Sequence, residues 1–512
     1  MRRLDRKHLF INILANIVSF AVTAGITFFL TRYIILTLGK EAFGFVGLSN
    51  SFINYSLIVT SALNAMASRF VSIKLFEDDK DAAQVYLSSV IISNVVIALI
   101  LLIPAVSVLL FLDKIVSIPI ELLPDVRILW ALLCINFQIS ICVSIFSVAI
   151  FVKNKLYLNS IRLIEAQLLR TGILLFCFYC FPAHVWYIAI ANISVTIYTF
   201  LYNLKYTKKF LPEIQVRISS FKFSAIKVLL AAGIWNSLNQ LNFTLLEGFD
   251  LFFANLFISE AAMGLVAITK TIPVYFMQIY GVLAPAYRPK MYKLYAENDM
   301  SGLSDYVNRC NKLTIFILSI PIAGFIVFGG SFFQLWLPGE NATLLWVLSL
   351  LTMAAVFSDT YTGILFDIYI VTNKLKLTSL IVFITGAINV IVVLFALKYT
   401  SWGLYAICGS SSLLTMVKSL TFNPLYAARC LKVKWSTFYQ NILKGSLSLA
   451  LIILIALIVS HVITIYSWGT LALAALITTG FGLLVNTLIL LNATERSWVI
   501  ISVLNRLSVL KK

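Results

Sequence analysis

The sequence predicts an all-α polytopic membrane protein of about fourteen transmembrane helices, and three observations predict it. Hydrophobic residues make up 61% of the chain and charged residues 12%, with a mean hydropathy of +0.96. A soluble domain carries about a quarter charged residues and could not bury this much apolar surface. Apolar stretches of about 20 residues recur along the whole length, each long enough to cross a hydrocarbon core of about 30 Å as a helix. Finally, the chain repeats. Asn154-Lys155-Leu156 returns as Asn373-Lys374-Leu375 after 219 residues. On nearly the same shift, Ala42-Phe43-Gly44-Phe45-Val46 matches Ala262-Met263-Gly264-Leu265-Val266, and Arg69 with Lys74-Leu75-Phe76 matches Arg288 with Lys293-Leu294-Tyr295. Pro104 falls close to Pro321. Backbone groups in lipid must be satisfied within the segment, so the spans are helices.

Taken in order, the first span covers 8–36. It follows Met1-Arg2-Arg3, is too long for a signal-peptide core, and has no small-residue cleavage site behind it, so it is expected to stay attached. Spans 2 to 6 are expected over 43–70, 83–112, 125–151, 157–181 and 185–205. A basic stretch containing Pro212 then interrupts the apolar pattern, over 205–227. Spans 7 to 12 cover 224–258, 262–287, 305–329, 342–371, 376–398 and 402–426. Spans 13 and 14, over 438–463 and 467–491, lie outside the repeat. Beyond them, Trp498, Ile501, Leu504 and Leu507 alternate with Arg506, Lys511 and Lys512 as in an interfacial amphipathic helix. The resulting domain plan is an N-lobe (1–207), a cytoplasmic linker (208–223), a C-lobe (224–428), an extra helix pair (429–493) and a C-terminal amphipathic segment (494–512).

Charge orients these spans. Most of the 39 Lys and Arg residues fall in the termini and in every second loop, whereas the alternate loops hold Lys40, Lys114, Arg127 and Lys398. The net charge of +18 is therefore a positive-inside signal and not a nucleic-acid footprint. Both termini are expected in the cytoplasm, and the basic loops suit anionic lipids. Each repeat copy holds six spans, an even number, so equivalent helices point the same way. Such lobes are related by a pseudo-twofold along the membrane normal, with a cavity between them, as in many transporters.

Polar stripes mark which faces avoid lipid. Span 1 carries Asn12, Asn16, Ser19, Thr23, Thr27 and Thr31; span 2 carries Asn50, Asn54, Ser61, Asn64 and Ser68; span 7 carries Asn236, Gln240, Thr244, Glu247 and Asp250. These stripes line a cavity suited to sugar hydroxyls, or they hydrogen-bond helix to helix.

An ionisable group at the bilayer centre costs at least about 2.5–3.5 kcal/mol, so each needs water or a partner. Lys270 has Asn50 as its repeat equivalent, which places it on the cavity face of span 8, where Pro273 loosens the helix. Arg170 lies mid-depth in span 5, opposite Asn389 in the repeat, with Arg162 and Glu165 spaced to pair with each other. Lys418 follows Ser411 and Thr415 on span 12, and Arg32 lies near the outer end of span 1, placed to snorkel. These four cations are candidates for substrate contact. Glu247, Asp250 and Asp359 are candidates for taking up H⁺ or Na⁺, or they balance Lys270 and Lys418. Asp367, near the cytoplasmic end of span 10, is expected to be wet.

Several short motifs then point to a family. Leu38-Gly39-Lys40-Glu41-Ala42-Phe43-Gly44, Leu335-Trp336-Leu337-Pro338-Gly339 leading into Leu344-Leu345-Trp346-Val347-Leu348, and the two Asn-Lys-Leu turns resemble the multidrug/oligosaccharidyl-lipid/polysaccharide exporter superfamily, and within it the Wzx-type polysaccharide flippases. The resemblance implies an inner-membrane protein, part of surface-polysaccharide (O-antigen) biosynthesis, that flips an undecaprenyl-pyrophosphate-linked oligosaccharide from cytoplasm to periplasm by alternating access. Its partners would be that lipid-linked oligosaccharide, membrane lipids, and a polysaccharide polymerase and chain-length regulator, with no nucleic acid and no cofactor beyond a coupling ion. The amides Asn16, Asn50, Asn54, Asn64, Asn236 and Gln240 would line its sugar cavity, and the four cations would hold its pyrophosphate. Fourteen spans favour the polysaccharide branch over the drug exporters, usually of twelve; peptidoglycan-lipid flippases, also of fourteen, stay open, as does an H⁺- or Na⁺-coupled drug antiporter.

An enzyme fits poorly. No phosphate-binding loop or nucleophile elbow occurs, and His8, His184 and His461 are too scattered for a metal site. Cys177-Phe178-Tyr179-Cys180 has redox spacing but sits at a span end, where it reads as packing.

Overall fold

The computed structural model describes residues 2–152, 155–212, 217–493 and 495–496. Among these no strand occurs, and helices follow one another throughout. The first stretch holds α1 (Arg2–Leu38), α2 (Lys40–Phe76), α3 (Lys80–Leu110), the short α4 (Leu112–Ile115), α5 (Leu123–Val143), α6 (Val148–Val152), α7 (Leu156–Cys180) and α8 (Tyr187–Phe210). After the linker come α9 (Phe223–Phe243), a π-helical turn over Thr244–Gly248, α10 (Asp250–Phe257), α11 (Glu260–Thr269) and α12 (Thr271–Ala296). The series closes with α13 (Met300–Trp336), α14 (Ala342–Val371), α15 (Leu375–Tyr399), α16 (Leu404–Leu431), α17 (Tyr439–Val462) and α18 (Trp468–Ile489).

All fourteen expected spans fall on these helices, and the chain is a multi-pass membrane protein. Eleven described helices are long and apolar enough to cross a bilayer. The expected spans missing from that group are α2, the α9–α10 pair and α16. Of these, α16 carries Lys418 among serines and threonines, and α9–α10 carries a polar stripe. The C-terminal amphipathic segment beyond Arg496, and residues 213–216 of the linker, lie outside the described residues.

The repeat is visible in the turns. Asp78 and Asn298, 220 residues apart, both take a left-handed backbone, with φ of 58° and 56°. Each ends a helix, and each is followed by an aspartate that caps the next: Asp79 accepts from the Ala82 N–H and Asp299 from the Gly302 N–H. The lysines of the two Asn-Lys-Leu turns make matching long backbone bonds, Lys155 N–H to Ile150 and Lys374 N–H to Tyr369, at 3.1 and 2.8 Å. Pro104 and Pro321 both sit inside unbroken helices.

The chain divides into two compact units. The first comprises Met1–Ile268 with Ser379–Ile407. In it, Leu63, Ala67 and Val71 of α2 pack on Leu87 and Val90 of α3 and on Ile226 and Leu229 of α9. The described end of the linker is pinned to α3, since the backbone N–H groups of Arg217 and Lys222 donate to the hydroxyls of Ser88 and Ser89. One contact in this unit speaks directly about the repeat. A Cβ on Gly44 of α2 would stand 3.0 Å from the Gly264 Cα on α11, and a Cβ on Gly264 would stand 2.5 Å from the Lys40 carbonyl oxygen. Gly44 and Gly264 are repeat equivalents. The two equivalent stretches thus meet at close backbone range.

The second unit comprises Thr269–Thr378 with Cys408–Lys512. Met291, Leu303, Val307, Leu365, Tyr369 and Phe438 centre one of its cores. Here α17 and α18, the extra pair, are fastened to α13. The Asn486 amide of α18 donates to the Phe316 carbonyl and the Ser319 hydroxyl, both at 2.9 Å, and accepts from Ser448 of α17. Gly445 and Gly482 let Tyr361, Ile315 and Ile320 approach their backbones. Small residues and satisfied amides are how helices associate where lipid supplies no hydrophobic drive.

Candidate functional site

In the first unit, α1 and α7 lie side by side. Two bonds tie the polar stripe of α1 to its neighbour: Ser160 donates to Asn16, and Gln167 donates to Thr27 at 3.1 Å. Part of this stripe therefore joins helices. Further along the same pair, Tyr33 meets Phe178 with ring centroids 5.8 Å apart. Arg32 and Arg170 both fall in the interval between the Thr27–Gln167 bond and this ring contact. Neither makes a hydrogen bond or ion pair with a described residue, and the Arg170 Nε is buried without a partner. Guanidiniums stay charged, so an unpaired one deep in a span calls for an anion or for water. Arg162 and Glu165, as their spacing suggested, pair with each other.

α2 packs against α9 in the same unit. Ser237 of α9 donates to the Ile58 carbonyl at 2.6 Å. Asn50 is exposed and Asn54 and Gln240 are half-buried, and none of the three side chains is hydrogen-bonded to a described residue. Free amides on membrane helices are ready to bind hydroxyls. The side chains of Asn64, Asn236 and Glu247 lie outside the described residues.

Span 7 departs from the straight helix assumed for its stripe. The π turn over Thr244–Gly248 inserts extra backbone, and α10 begins afresh at Asp250. Regular helical spacing therefore does not carry through from Gln240 to Asp250. The freed carbonyls have partners: the Asn389 amide of α15 donates to Leu245 and Leu246 at 3.3 and 3.0 Å, and the Tyr55 hydroxyl of α2 donates to Gly248 at 2.6 Å. Asp250 is buried beside this irregular turn, within electrostatic reach of Tyr55. Such π turns recur at functional sites because they expose backbone groups within a helix.

In the second unit, Lys270 occupies a helix break. α11 ends at Thr269 and α12 begins at Thr271, with Pro273 unable to donate back across the gap. The expected loosening is thus a one-residue turn at Lys270, whose backbone stays in the helical region. Lys418 on α16 lies within electrostatic reach of Asp359 on α14, and Ser419 donates to Asp359 at 3.4 Å. This arrangement suits charge balance between Lys418 and Asp359. Asp367 corrects an expectation: it is 1% exposed, not wet, because Arg288 of α12 reaches it at 2.9 Å and neutralises it in place.

Two contributors escaped the sequence reading, Tyr55 and Asn389. Tyr55 sits one residue from the α2 stripe and looks apolar in a pattern search. Asn389 was visible only as the uncharged counterpart of Arg170. No group of three or more metal-ligating side chains gathers among the described residues.

Comparison with known proteins agrees with this architecture. No family model matches the chain. A membrane protein of uncharacterised function from Bacillus subtilis, EpsK, is 29% identical over 462 residues, which is 90% of this chain and 91% of that one. Among solved structures, the inward closed form of the lipid II flippase MurJ superposes with a TM-score of 0.64 at 16% identity, covering 94% of this chain and 98% of its own. An inward-facing multidrug MATE transporter of the same superfamily gives a TM-score of 0.63 at 15% identity, covering 81% of this chain and 95% of its own. The chain has the transporter fold of the multidrug/oligosaccharidyl-lipid/polysaccharide superfamily.

Proposed function

We propose that this protein is a flippase that moves an undecaprenyl-pyrophosphate-linked oligosaccharide from the cytoplasmic to the outer leaflet of the bacterial cytoplasmic membrane by alternating access. The observation that carries the reading is the unpaired Arg170 guanidinium in α7, with Arg32 on the adjoining helix. A diphosphate entering the membrane loses hydration, and bidentate arginine hydrogen bonds replace it. Asn50, Asn54 and Gln240 supply amides for the sugars. The lipid tail remains in the bilayer while the headgroup crosses. Lys270, at a helix break, and Lys418 are further phosphate contacts in this scheme.

Length supports a lipid-linked substrate over a drug. The match to the lipid II flippase spans 94% of the chain, whereas the multidrug transporter covers 81%. A peptidoglycan-lipid substrate is the second reading, favoured by the same coverage. Coupling to H⁺ or Na⁺ would use Asp250 beside its π turn, with Glu247 and Asp359. A proton- or sodium-coupled drug antiporter would use the same acids and would have no need of Arg170. The polymerase and chain-length regulator of a polysaccharide pathway are the partners this reading implies.

The test is to delete the gene and locate lipid-linked oligosaccharide with an impermeant sugar probe, in cells and in inverted vesicles. Accumulation on the cytoplasmic face with loss of surface polysaccharide is expected. Normal sugar display with altered retention of cationic dyes would overturn the flippase in favour of the antiporter. Accumulated peptidoglycan precursor with intact polysaccharide would select the second reading.

A further inference from the structure

The basic ends of α7 and α8 carry a structure that the proposed transport path does not use. Four rings stand one above another on α8: Tyr198, Tyr202, Tyr206 and Phe210, with successive centroids 5.5, 5.3 and 5.4 Å apart. At i, i+4 spacing they form one ladder along a single helical face. Cations are interleaved with it. The Arg162 guanidinium of α7 lies 3.9 Å from the Tyr202 centroid, Lys205 lies 6.0 Å from the same ring, and Lys155 lies 4.5 Å from Phe210. Lys208 and Lys209 complete the last turn of α8. Glu165 is the one acid paired into the cluster, through Arg162 and the Tyr198 hydroxyl.

Three features separate this from an ordinary interfacial aromatic belt. Among the described residues, three cations, Arg162, Lys205 and Lys155, lie on the rings and one carboxylate, Glu165, is paired with Arg162, so the strip keeps an excess of positive charge. Arg162 is only partly used: Nη1 serves Glu165 and Tyr198 at one end, while its Nε is buried and unbonded. The Lys155 side chain makes no hydrogen bond or ion pair with a described residue; its ammonium rests on a ring. The repeat provides an internal comparison. In the second copy the equivalent lysine, Lys374, is tied down, its ammonium donating to the Cys430 carbonyl at 3.3 Å. Phe422 and Tyr426 still stack there with centroids 5.1 Å apart, but Cys430 stands at the position matching Phe210. One turn has thus been kept as a structural cap in one copy, whereas in the other the lysine side chain contacts a ring and has no hydrogen-bond partner among the described residues.

We propose that the α7–α8 strip is a docking site for the phosphate headgroup of an anionic phospholipid, with Lys155 and Arg162 as its phosphate contacts. Rings at headgroup depth hold the glycerol and upper chains, and the accessible edge of the Arg162 guanidinium and the Lys155 ammonium meet the phosphate oxygens. The site does not depend on the flippase reading, since a drug antiporter or any other membrane protein could carry it.

Native mass spectrometry of the full-length protein, titrated with phosphatidylglycerol or phosphatidylcholine, tests this. Phosphatidylglycerol should bind more tightly. Lys155→Gln should weaken it about fivefold, and Arg162→Gln about tenfold. Glu165→Gln should have the opposite sign and tighten binding, because it releases Arg162 to the ligand. A structural ion pair would instead make both changes act in the same direction. The double variant Arg162→Gln with Glu165→Gln leaves no unpaired buried charge, so it should fold and still lose binding. Equal affinity for the two phospholipids, or a shared direction for Arg162→Gln and Glu165→Gln, would overturn the proposal. Polyprenyl diphosphate displacing phosphatidylglycerol at a hundredth of its concentration would also overturn it, reassigning the strip to a diphosphate lipid.

Discussion

Substituting Gly264 by alanine tests whether the meeting of repeat equivalents holds the first unit together. The added Cβ would lie 2.5 Å from the Lys40 carbonyl oxygen and 2.7 Å from the carbonyl carbon. Both atoms are backbone, so no side chain can swing aside. Restoring ordinary contact requires α2 and α11 to part by roughly 1 Å, and overpacking of this kind costs about 1–3 kcal/mol. That corresponds to about a 5- to 150-fold loss in the population with the contact closed. Gly44→Ala should be milder. Its Cβ meets the Gly264 Cα and N at 3.0 Å, so that backbone has to give by only a few tenths of an ångström, and the flexible tip of Met263 yields. Hydrogen–deuterium exchange in nanodiscs reads the effect directly. Exchange over 40–48 should rise strongly in Gly264→Ala and weakly in Gly44→Ala, with Tm falling in the same order. Unchanged exchange in Gly264→Ala, or the reverse ranking, would mean that the two glycines do not form a close contact in the membrane.

Four further outcomes are expected. Arg170→Gln should reduce transport of the lipid-linked oligosaccharide at least about tenfold, with Arg170→Lys intermediate because a lysine keeps charge but loses the two-pronged hydrogen bond; vesicle flipping assays with each variant measure this. Asn389→Ala leaves the Leu245 and Leu246 carbonyls without their donor, and should lower stability by about 1–3 kcal/mol with faster exchange over 244–250. Asn486→Leu should lower Tm and loosen α17 and α18 from α13, seen as protease cleavage between α16 and α17 before the rest of the chain is cut. The last concerns pH. Burial opposes ionisation of Glu495, but the Asn492 N–H and the Lys312 ammonium outweigh it and hold the carboxyl below its usual value. A depressed carboxylate pKa adds stability above the unfolded value of about 4.3, and that contribution disappears as pH falls through the depressed one. Protease sensitivity just after α18 should therefore rise on acidification below about pH 4. Lys312→Met should move that rise to higher pH.

The helices were legible because lipid demands them. A span must be apolar for about 20 residues and must satisfy its own backbone, and both demands act locally on sequence. The turns were legible for a similar reason, since the Asn-Lys-Leu pair marks a helix end that recurs in both copies. Legibility failed where a helix is irregular. Periodicity assumes a regular helix, so the π turn in span 7 could not be read from spacing; it depends on a partner more than a hundred residues away, Asn389 for Leu246. Asp367 was misjudged for the same reason. Its place near a span end suggested water, whereas its burial depends on Arg288, which is distant in sequence.

The most instructive positions are those where the two copies of the repeat have diverged. Arg170 and Asn389 are equivalents. In the second copy the side chain is an amide, and it is consumed in holding the Leu245 and Leu246 carbonyls of the π turn. In the first copy it is a guanidinium with no described partner. Lys374 and Lys155 divide in the same way, one donating to a carbonyl and the other left over a ring. A duplicated scaffold needs its structural bonds in both copies unless the neighbouring helix supplies them, so a position that has shed its bond in one copy is under less structural constraint there. A charge kept at such a position, at the cost of placing it in the membrane, is hard to explain by packing. Both released positions lie on α7 or at its start, and both carry cations. Among the described residues, the first copy thus carries two cations whose side chains have no hydrogen-bond or ion-pair partner, Lys155 at the start of α7 and Arg170 within it.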